Sequence, residues 1–421
     1  MKNKYDIIVV GGGFAGATAA ISAARLGKRV LLIEKYNCMG GAACYDLVNP
    51  FMPYMTTNPE SGERIDLSCG LFTEIVNRLR DLGGARNEKR SLPFNEEVLK
   101  YLLNTMAIES GVELLYQSYV TDVRKEGERI KSVIISNVSG NSEIEADCFV
   151  DATGDANLSV LAGCPYRLGR ECDNLCQPMT LCFRLAGVKG YDAGTKARIN
   201  SLYSEYQASG KIKNPRENVL IFRTLVEDIL HFNTTRVVKL DPTNASDVTK
   251  AEIIAREQVF EMYNFLRANF EEFKDSTLIS TGMQIGVRES RMIDGEYTLT
   301  KDDLLSCAKF EDSVAVCNYD IDIHSPDGSG TSHYYFPKGE YYTIPYRCLI
   351  PKKVDNLLVA GRCVSADHDA QASLRIMPTC ATLGEAAGVA AVLSLKSDGN
   401  VRAVDIAELR KILLDKGAKV D

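Results

Sequence analysis

The stretch Tyr5-Asp6-Ile7-Ile8-Val9-Val10-Gly11-Gly12-Gly13-Phe14-Ala15-Gly16 decides the fold. Its first six residues form a short apolar run, which is typical of a buried parallel strand. The alanine-rich segment from Ala15 to Leu26 then predicts a helix, with Gly27 as a C-cap. Arg29 to Ile33 is again apolar and predicts a second strand. The chain therefore begins with a strand, a helix and a strand, which together make a βαβ unit of about 30 residues.

The glycines of this stretch have the spacing G-x-G-x-x-G at Gly11, Gly13 and Gly16. In such a motif the first glycine makes a tight turn, the second lets the backbone approach a pyrophosphate, and the third lets helix and strand pack closely. The free N–H groups and the positive dipole at the start of the helix favour phosphate. Glu34 ends the second strand, where an acidic side chain can accept hydrogen bonds from ribose hydroxyls. Because the motif lies between a strand and a helix, it predicts a dinucleotide site.

Composition limits the class of protein. The 421 residues, 45% hydrophobic and 25% charged, are enough for two domains with substantial cores. Apolar runs are shorter than the roughly 18 to 20 residues of a membrane span, and cleavage of a signal peptide would remove the first strand, so we expect a cytoplasmic protein. The net charge of -7, with scattered Lys and Arg, argues against a nucleic-acid partner. The 13 cysteines are expected to be reduced thiols.

The rest of the chain carries further helix and strand signals. Residues 112–150 alternate apolar and polar side chains and predict strands, and 324–332 predicts a mobile loop. Other predicted strands are Thr180–Leu185, Arg236–Leu240 and Asn356–Ala360. Predicted helices are Leu71–Leu82, the segment from the N-cap Asn95 to about Ser110, Ala193–Ser209, Asp247–Phe270 and Thr379–Leu395.

The last segment has the same strand-and-helix character as the first. We therefore predict an α/β fold in which both chain ends, residues 1–163 and 346–421, form one Rossmann-type domain. Residues 164–345 would form an inserted α+β substrate or cap domain.

Two further pieces distinguish FAD from NAD as the dinucleotide. Ala152-Thr153-Gly154 follows a strand, and Ala360-Gly361-Arg362 precedes a small-residue helix. With the glycine motif, these pieces resemble the FAD-dependent oxidoreductases of the glutathione-reductase-like superfamily. Segments 286–291, 344–347, 360–368 and 375–379 resemble more closely a bacterial family known only as FAD-dependent oxidoreductase, which is related to the glucose-inhibited division proteins and the fumarate reductase flavoproteins.

The resemblance implies where FAD would bind. It assigns the pyrophosphate to the glycine motif, the adenosine ribose to Glu34, and the ribityl phosphate to Gly361 and Arg362. The helix that opens at Thr379 would point its N-terminus at the flavin pyrimidine ring, where a positive dipole stabilises reduced flavin. The full predicted set is Gly11, Gly13, Phe14, Ala15, Gly16, Glu34, Lys35, Gly40, Gly41, Ala42, Val120, Ala152, Thr153, Gly154, Gly361, Arg362 and Thr379.

The cysteines leave two alternatives open. Cys38 and Cys44 flank the pair Gly40-Gly41. They are either a flavin-linked disulfide or two small residues packed near the cofactor. Four others, Cys164, Cys172, Cys176 and Cys182, match none of the common metal or iron–sulfur spacings. We predict no metal, and whether these four bind a cluster stays open. A second G-x-G-x-x-G is not found, so we predict no separate nicotinamide domain.

Four residues are candidates for substrate chemistry: Arg288, His333, Tyr346 and Arg375. Two arginines suit an anionic or carbonyl-bearing substrate, and a histidine or tyrosine can handle the proton that accompanies hydride transfer. The alternatives are a salt bridge at a domain interface for the arginines and a solvated loop residue for His333. His368, beside two aspartates, is a reserve candidate or a structural residue near the cofactor.

The sequence thus predicts an FAD enzyme that moves a hydride to or from a small, polar or anionic organic molecule. An RNA-modifying flavoprotein and an electron-transfer subunit are the alternatives. The sequence identifies neither the substrate nor the electron donor or acceptor. It also leaves the oligomeric state open, with a homo-oligomer as one alternative.

Overall fold

The computed structural model describes residues 4–86 and 91–421. The first three residues, which belong to the predicted first domain, lie outside the described residues. The strands, in chain order, are β1 (Lys4–Val10), β2 (Val30–Ile33), β3 (Met55–Thr57), β4 (Arg64–Asp66), β5 (Glu113–Leu115), β6 (Tyr119–Glu126), β7 (Arg129–Asn137), β8 (Gly140–Asp151), β9 (Tyr166–Leu168), β10 (Phe183–Ala186), β11 (Ile221–Arg223), β12 (Leu230–Phe232), β13 (Thr277–Thr281), β14 (Arg291–Ile293), β15 (Ser313–Cys317), β16 (Ile321–His324), β17 (Thr331–Tyr334), β18 (Tyr342–Pro345) and β19 (Leu357–Val359).

Helices flank and connect these strands. They are α1 (Phe14–Arg25), α2 (Leu71–Asp81), α3 (Glu96–Glu109), α4 (Asn157–Leu161), α5 (Ala193–Ala208), α6 (Ala245–Asn269), α7 (Lys301–Leu305), α8 (His368–Leu374), α9 (Met377–Ser394) and α10 (Ile406–Asp415).

The largest sheet joins both ends of the chain. Strands β5, β2, β1 and β8 follow one another in parallel, and β19 adds to β8, also in parallel. The first half of β8 pairs instead with β7 in antiparallel register, and β7 pairs with β6. Ile7 to Val10 and all four residues of β2 are buried, as expected for strands covered on both faces. This arrangement confirms the predicted α/β fold with a Rossmann-type unit.

Helices α1 and α9 pack closely on each other and bring the last segment onto the first. A Cβ atom at Gly384 would lie 2.0 Å from the Ala15 carbonyl oxygen, and one at Gly388 would lie 2.2 Å from that of Ala19. The Thr18 hydroxyl donates to the Ala381 carbonyl across the same contact at 2.8 Å. The two glycines of α9 therefore permit a backbone separation that any side chain would prevent.

The middle of the chain builds a second, antiparallel sheet of β11, β12, β10 and β13. Side chains of this sheet, among them Phe183 and Phe232, form a hydrophobic core of their own with Phe273, α5 and α6. Ile293 and Ile344, by contrast, belong to the core that contains Ile7. The chain therefore passes from the core of the antiparallel sheet to that of the large sheet between residues 285 and 293. This change lies earlier than the predicted boundary at residue 345. The division into domains itself stays a prediction.

Most of the predicted elements are present with shifts of a few residues at their ends. Asn95 caps α3 as predicted, because its side chain accepts hydrogen bonds from the N–H groups of Glu97 and Val98. The predicted strand Arg236–Leu240 was wrong: within it only Val237 makes a β-bridge, to Met179. The predicted loop at 324–332 is the turn of a hairpin whose strands, β16 and β17, include its two ends.

Candidate functional site

The glycine motif forms a tight turn between β1 and α1. Gly11 has a φ of 98°, and a Cβ there would lie 2.4 Å from the Ala152 carbonyl oxygen. A Cβ at Gly16 would lie 1.7 Å from the Gly11 carbonyl oxygen. At Gly13, by contrast, it would meet only the Gly41 Cα, at 3.9 Å. The outer glycines are thus required for packing, while the middle one leaves open space beside the backbone, as a bound pyrophosphate needs.

The N-terminus of α1 is free to bind an anion. Its N-cap is Gly13, which has no side chain to cap the helix, and its first turn contains no acidic residue. The first N–H groups of a helix have no partner within the helix, and the dipole adds partial positive charge there. This end of α1 therefore has the character that a dinucleotide phosphate requires.

Glu34 is buried, with 5% of its surface exposed. Its Oε2 accepts from the Gly12 N–H at 2.5 Å, and its Oε1 accepts from the Tyr36 N–H at 2.9 Å. Burial raises the pKa of this carboxyl, although the two backbone hydrogen bonds act in the opposite direction. Glu34 therefore holds the glycine turn in place besides standing where a ribose would bind.

A groove of about 170 Å³ runs along these residues, and we call it the glycine groove. Eleven predicted cofactor residues line it: Gly11, Gly13, Glu34, Lys35, Gly41, Ala42, Val120, Ala152, Thr153, Gly154 and Arg362. The sequence reasoning missed other lining residues: Tyr36, Tyr45, Asp46, Ser118, Tyr119, Asp155 and Gln284. Three of them lie within a dozen residues of Glu34, but the sequence has no spacing signal that marks them.

Six predicted cofactor residues do not line the glycine groove. Phe14 packs edge-on against Phe51 in the core, and Ala15 and Gly16 are buried in α1. Gly40 and Gly361 have φ angles of 114° and 94°, which a glycine adopts without strain. Thr379 is buried in the first turn of α9, where its hydroxyl donates to the Cys317 sulfur. These six residues shape the backbone around the groove and do not form its walls.

Arg362 lines the groove, and three of the five N–H donors of its guanidinium bind protein groups. It donates to the Gly154 carbonyl at 2.8 Å, to the Val287 carbonyl at 2.7 Å and to Asp155 at 2.6 Å. Asp155 also accepts from the Ser290 hydroxyl. The expected contact of Arg362 with the ribityl phosphate stays a prediction. Arg362 also links the glycine groove to the segment that carries Arg288.

A second cavity, of about 400 Å³, adjoins the groove, and we call it the arginine cavity. The two share Ala42, Asp46 and Arg362 as lining residues. Its polar lining residues include Thr180, Arg216, Glu217, Asn233, Arg288, Asp322, His324, His333 and Arg375, and its apolar ones include Val48, Pro50, Met52, Leu220, Phe222, Ile376 and Met377. The N-terminus of α9, which has no side-chain cap, opens at this cavity. The position of the flavin ring beside this helix end stays a prediction.

Asp46 lies at the junction of groove and cavity and is 3% exposed. Its Oδ1 accepts from the Gln284 amide at 2.8 Å. Burial raises the pKa of Asp46 to about 7, while Gln284 and Arg362 act against the shift. A carboxyl of this kind can carry a proton near neutral pH.

Arg288 is held on one side of the arginine cavity by neutral acceptors. Its Nη1 donates to the Pro178 carbonyl at 2.7 Å and to the Thr180 hydroxyl at 2.5 Å, and its Nη2 donates to the Asn233 amide oxygen at 3.2 Å. Within residues 4–86 and 91–421, no carboxylate oxygen lies within 4.0 Å of its guanidinium nitrogens. Burial, together with the charges of two neighbouring arginines, lowers the pKa of Arg288 to about 9.

Arg375 lies across a small network from Arg288. Its nearest carboxylate is Asp322, at 3.7 Å, and its Nε is buried without a hydrogen-bond partner. Asp322 also lies 3.3 Å from His324 Nε2. Burial and the Arg288 charge lower the pKa of His324 to about 3, so this ring is neutral at pH 7. Although burial acts against it, the contact with His324 and the nearby arginines lower the pKa of Asp322.

His333 stands at the more exposed edge of the cavity. Its Nδ1 is 2.5 Å from Asp320 Oδ2 and 3.7 Å from Asp322 Oδ1, and its ring stacks on Tyr335. Asp320, Asp322 and His333 lie close enough together to hold a metal ion. In the part of the chain that the structure describes, they are the one such group of His, Cys, Asp or Glu side chains. His333 therefore belongs to an acid–histidine network and is not an isolated loop residue.

The structure separates Tyr346 from the other three candidates and does not support its predicted role in proton transfer. Tyr346 is 2% exposed and does not line the arginine cavity, and its hydroxyl donates to the Val401 carbonyl at 2.8 Å. His368 also lies outside the cavity and pairs with the buried Glu289 at 2.7 Å. Arg288, His333 and Arg375 line the cavity together, as predicted, although they are widely separated in the sequence.

The cysteines lie apart from the groove and, with one exception, from the cavity. Hydrogen bonding to Cys44 lowers the pKa of Cys38 to about 7, and both residues are buried. Cys182 lines the arginine cavity, where burial raises its pKa to about 12. Cys172 is exposed.

The segment Met377–Ser397 has the length and mean hydropathy, 1.3, of a membrane span, but 89% of the apolar stretch is buried inside the fold. It contains α9, which packs on α1 and α10. Its apolar character is thus accounted for by its position in the core.

Comparison with curated proteins finds partial similarity. Digeranylgeranylglycerophospholipid reductase of Sulfolobus acidocaldarius is 27% identical over 164 residues, which are 36% of this chain and 34% of that protein. Thiamine thiazole synthase of Aeropyrum pernix is 30% identical over 162 residues, 36% of this chain and 55% of that protein. A tRNA uridine 5-carboxymethylaminomethyl modification enzyme of Mycoplasma mycoides is 28% identical over 147 residues, 32% of this chain and 22% of that protein. Each match spans less than two thirds of the relative.

The fold is similar to that of a solved structure over nearly the whole chain. A triple mutant of the flavin-dependent brominase Bmp2 aligns with 98% of this chain and 84% of its own, with a TM-score of 0.50 and 13% sequence identity. At that identity the similarity concerns the fold alone. The family model described as FAD dependent oxidoreductase matches residues 6–413. With this match and the glycine groove, the chain belongs to the FAD-dependent oxidoreductase family, and its cofactor is FAD.

Proposed function

We propose that this enzyme transfers a hydride to or from a small, polar or anionic organic substrate bound in the arginine cavity. The observation that carries the proposal is that the cavity adjoins the glycine groove through shared lining residues. A substrate in the cavity would therefore be next to a cofactor in the groove. Volumes of a few hundred Å³ are typical of small-molecule sites.

FAD supplies two-electron hydride chemistry when it is bound. Gly11 and Gly13 would hold its pyrophosphate, Glu34 its ribose, and the N-terminus of α9 would face its ring. The protein's part is to bind both molecules, to orient them and to keep water out. The apolar side chains around Pro50 and Met52 favour such exclusion.

Arg288 and Arg375 would anchor the substrate through charge-assisted hydrogen bonds. The proton that accompanies hydride transfer has two candidate carriers in the cavity. Asp46 is buried beside the cofactor groove, and His333 is hydrogen-bonded to Asp320 at the more exposed edge. Both are within the cavity lining, which is the first requirement for a general acid or base.

We extend the proposal to the class of substrate, the cellular location and the role of the antiparallel sheet. The net charge of -7 favours a small-molecule substrate over RNA. We place the protein in the cytoplasm and treat the antiparallel sheet, with its separate core, as the substrate or cap domain.

The test is anaerobic reduction of the purified holoprotein by NADH, NADPH and dithionite, followed by reoxidation with candidate substrates. Flavin absorbance reports both steps. Arg288→Ala and Arg375→Ala should retain FAD and dithionite reduction but lose most of the substrate-dependent step. If both variants keep full substrate turnover with FAD bound, the arginine cavity is not the substrate site.

A further inference from the structure

We infer that the arginine cavity binds a monocarboxylate with an apolar body, its carboxylate held by Arg288 and Arg375. This inference rests on the proposed function, because it names the substrate class of the same site. It is carried by two features of the cavity: the donors that the protein leaves unpaired, and the apolar side chains around them.

Arg288 presents a free edge to the cavity. Its Nη1 has two protein acceptors and its Nη2 has one, as described above. Its Nε and the second Nη2 hydrogen have no acceptor among the described residues. The Nε and Nη2 donors of a guanidinium point in parallel and match the two oxygens of a carboxylate. The neutral acceptors therefore hold the Nη1 side of Arg288 and leave Nε and one Nη2 hydrogen for a carboxylate.

The charges around this edge leave an excess of positive charge. Arg375 lies 3.7 Å from Asp322, whereas Arg216, at 3.7 Å, and Arg236, at 3.3 Å, share Glu217. Arg288 has no carboxylate within 4.0 Å in residues 4–86 and 91–421. A buried cation without a counter-charge is unfavourable. An anion that supplies the counter-charge therefore binds with a more favourable free energy.

Arg375 and Arg216 also have unused donors. The Nε atoms of both are buried without a hydrogen-bond partner, and Arg216 is only 4% exposed. Arg375 Nη2 reaches the Gln177 amide oxygen and the Asp322 carbonyl only at 3.4 Å each. Both contacts of Arg375 Nη2 are at the long end of hydrogen-bond distances, so this nitrogen is the donor of Arg375 that a carboxylate in the cavity would meet.

The remaining walls of the cavity are apolar. On β11 and the residue before it, Leu220 and Phe222 line the cavity, while Ile221 between them belongs to the core of the antiparallel sheet. Other apolar lining residues come from the segment 48–52 and from the start of α9, namely Val48, Pro50, Met52, Ile376 and Met377. A ligand with one charged end and an apolar body would satisfy the arginines and cover these side chains.

The first experiment compares probes on the wild-type holoprotein. Phenylbutyrate, phenylbutanol, acetate and inorganic phosphate are titrated in turn, with binding read by calorimetry and by the perturbation of flavin absorbance. We expect phenylbutyrate to bind at least about tenfold more tightly than each of the other three, because only it has both features. Equal binding of phenylbutanol, or tighter binding of phosphate, would overturn the inference.

The second experiment removes the charge. Arg288→Gln and, separately, Arg375→Gln should weaken phenylbutyrate binding by about 10- to 100-fold and leave phenylbutanol binding unchanged. Arg223→Gln is the matched control, because Arg223 is on the same strand as Phe222 but is exposed and donates to the Tyr191 carbonyl. If Arg223→Gln weakens binding as much as the other two, long-range charge and not the site is responsible.

The outcomes separate this inference from the proposed function. Probe binding needs no turnover, whereas the proposed function is tested by substrate-dependent flavin reoxidation. Substrate turnover without carboxylate preference would refute the inference alone. Carboxylate binding to a holoprotein whose flavin exchanges no electrons with any substrate would refute the proposed function alone. If a variant does not fold, the comparison of probes on the wild type still decides.

Discussion

Replacing Glu34 by alanine should weaken both the apoprotein and its hold on FAD. In the apoprotein, the variant loses the acceptor of the Gly12 N–H, which is buried, and of the Tyr36 N–H, which is half-buried. A buried donor left without a partner costs about 1–3 kcal/mol, and water can partly replace the acceptor at Tyr36. Removal of a buried carboxylate offsets part of this loss. We therefore expect the free energy of unfolding to fall by about 2 kcal/mol.

In the holoprotein the same change also removes the ribose acceptor. A hydrogen bond to a charged group contributes about 1.5–3 kcal/mol, which corresponds to a 10- to 100-fold weaker binding of FAD. Glu34→Gln is the matched control, because it keeps the shape and one acceptor oxygen but turns an N–H donor towards one of the two backbone donors. Its losses should be intermediate.

The assay combines urea unfolding of the apoprotein with titration of FAD, followed by flavin fluorescence. Circular dichroism checks that each variant is folded. If Glu34→Ala leaves both the unfolding midpoint and the FAD dissociation constant within error of the wild type, Glu34 neither supports the glycine turn nor contacts the ribose. If only the dissociation constant changes, the structural part of the argument is refuted and the ribose part stands.

Three further outcomes are expected. Gly384→Ala should lower the free energy of unfolding by about 1–3 kcal/mol in urea titrations, despite its gain in helix propensity, because the new Cβ would lie 2.0 Å from the Ala15 carbonyl oxygen. Asp46→Asn should remove a decline in apoprotein stability between about pH 4 and pH 7, since a carboxyl whose pKa is raised to about 7 on folding binds a proton in the folded state that the unfolded state has released; thermal unfolding across this range measures it. Tyr346→Phe should lower stability by about 1 kcal/mol through the lost hydrogen bond to Val401 and leave turnover in steady-state assays unchanged.

The Rossmann-type part of the fold could be predicted because its rules are local. Gly11 and Gly16 stand where a Cβ would clash with backbone, so their spacing reports the turn directly. Asn95 caps α3 through N–H groups two and three residues ahead, and this too is visible in a short window of sequence. Such contacts between near neighbours are what a motif records.

The parts that failed depend on contacts between distant residues. Arg236 begins a stretch with strand character, yet its guanidinium donates to the carbonyls of Gly328 and Gly330, and the stretch pairs only at Val237. Tyr346 has a polar end, but its acceptor is Val401, in a segment that no motif links to it. Asp46 gave no signal, because its position between groove and cavity arises only when the chain is folded.

Arg362 has a consequence for how the two ligands influence each other. Its guanidinium joins the Gly154 and Asp155 wall of the cofactor groove to the carbonyl of Val287, the residue that precedes Arg288. A ligand that moves Arg288 would also move Val287. The hydrogen bonds of Arg362 would then transmit this movement to the backbone beside FAD. Coupling between two binding sites is reciprocal, so the factor by which substrate changes FAD affinity is the factor by which FAD changes substrate affinity. A measurement of either one therefore determines the other.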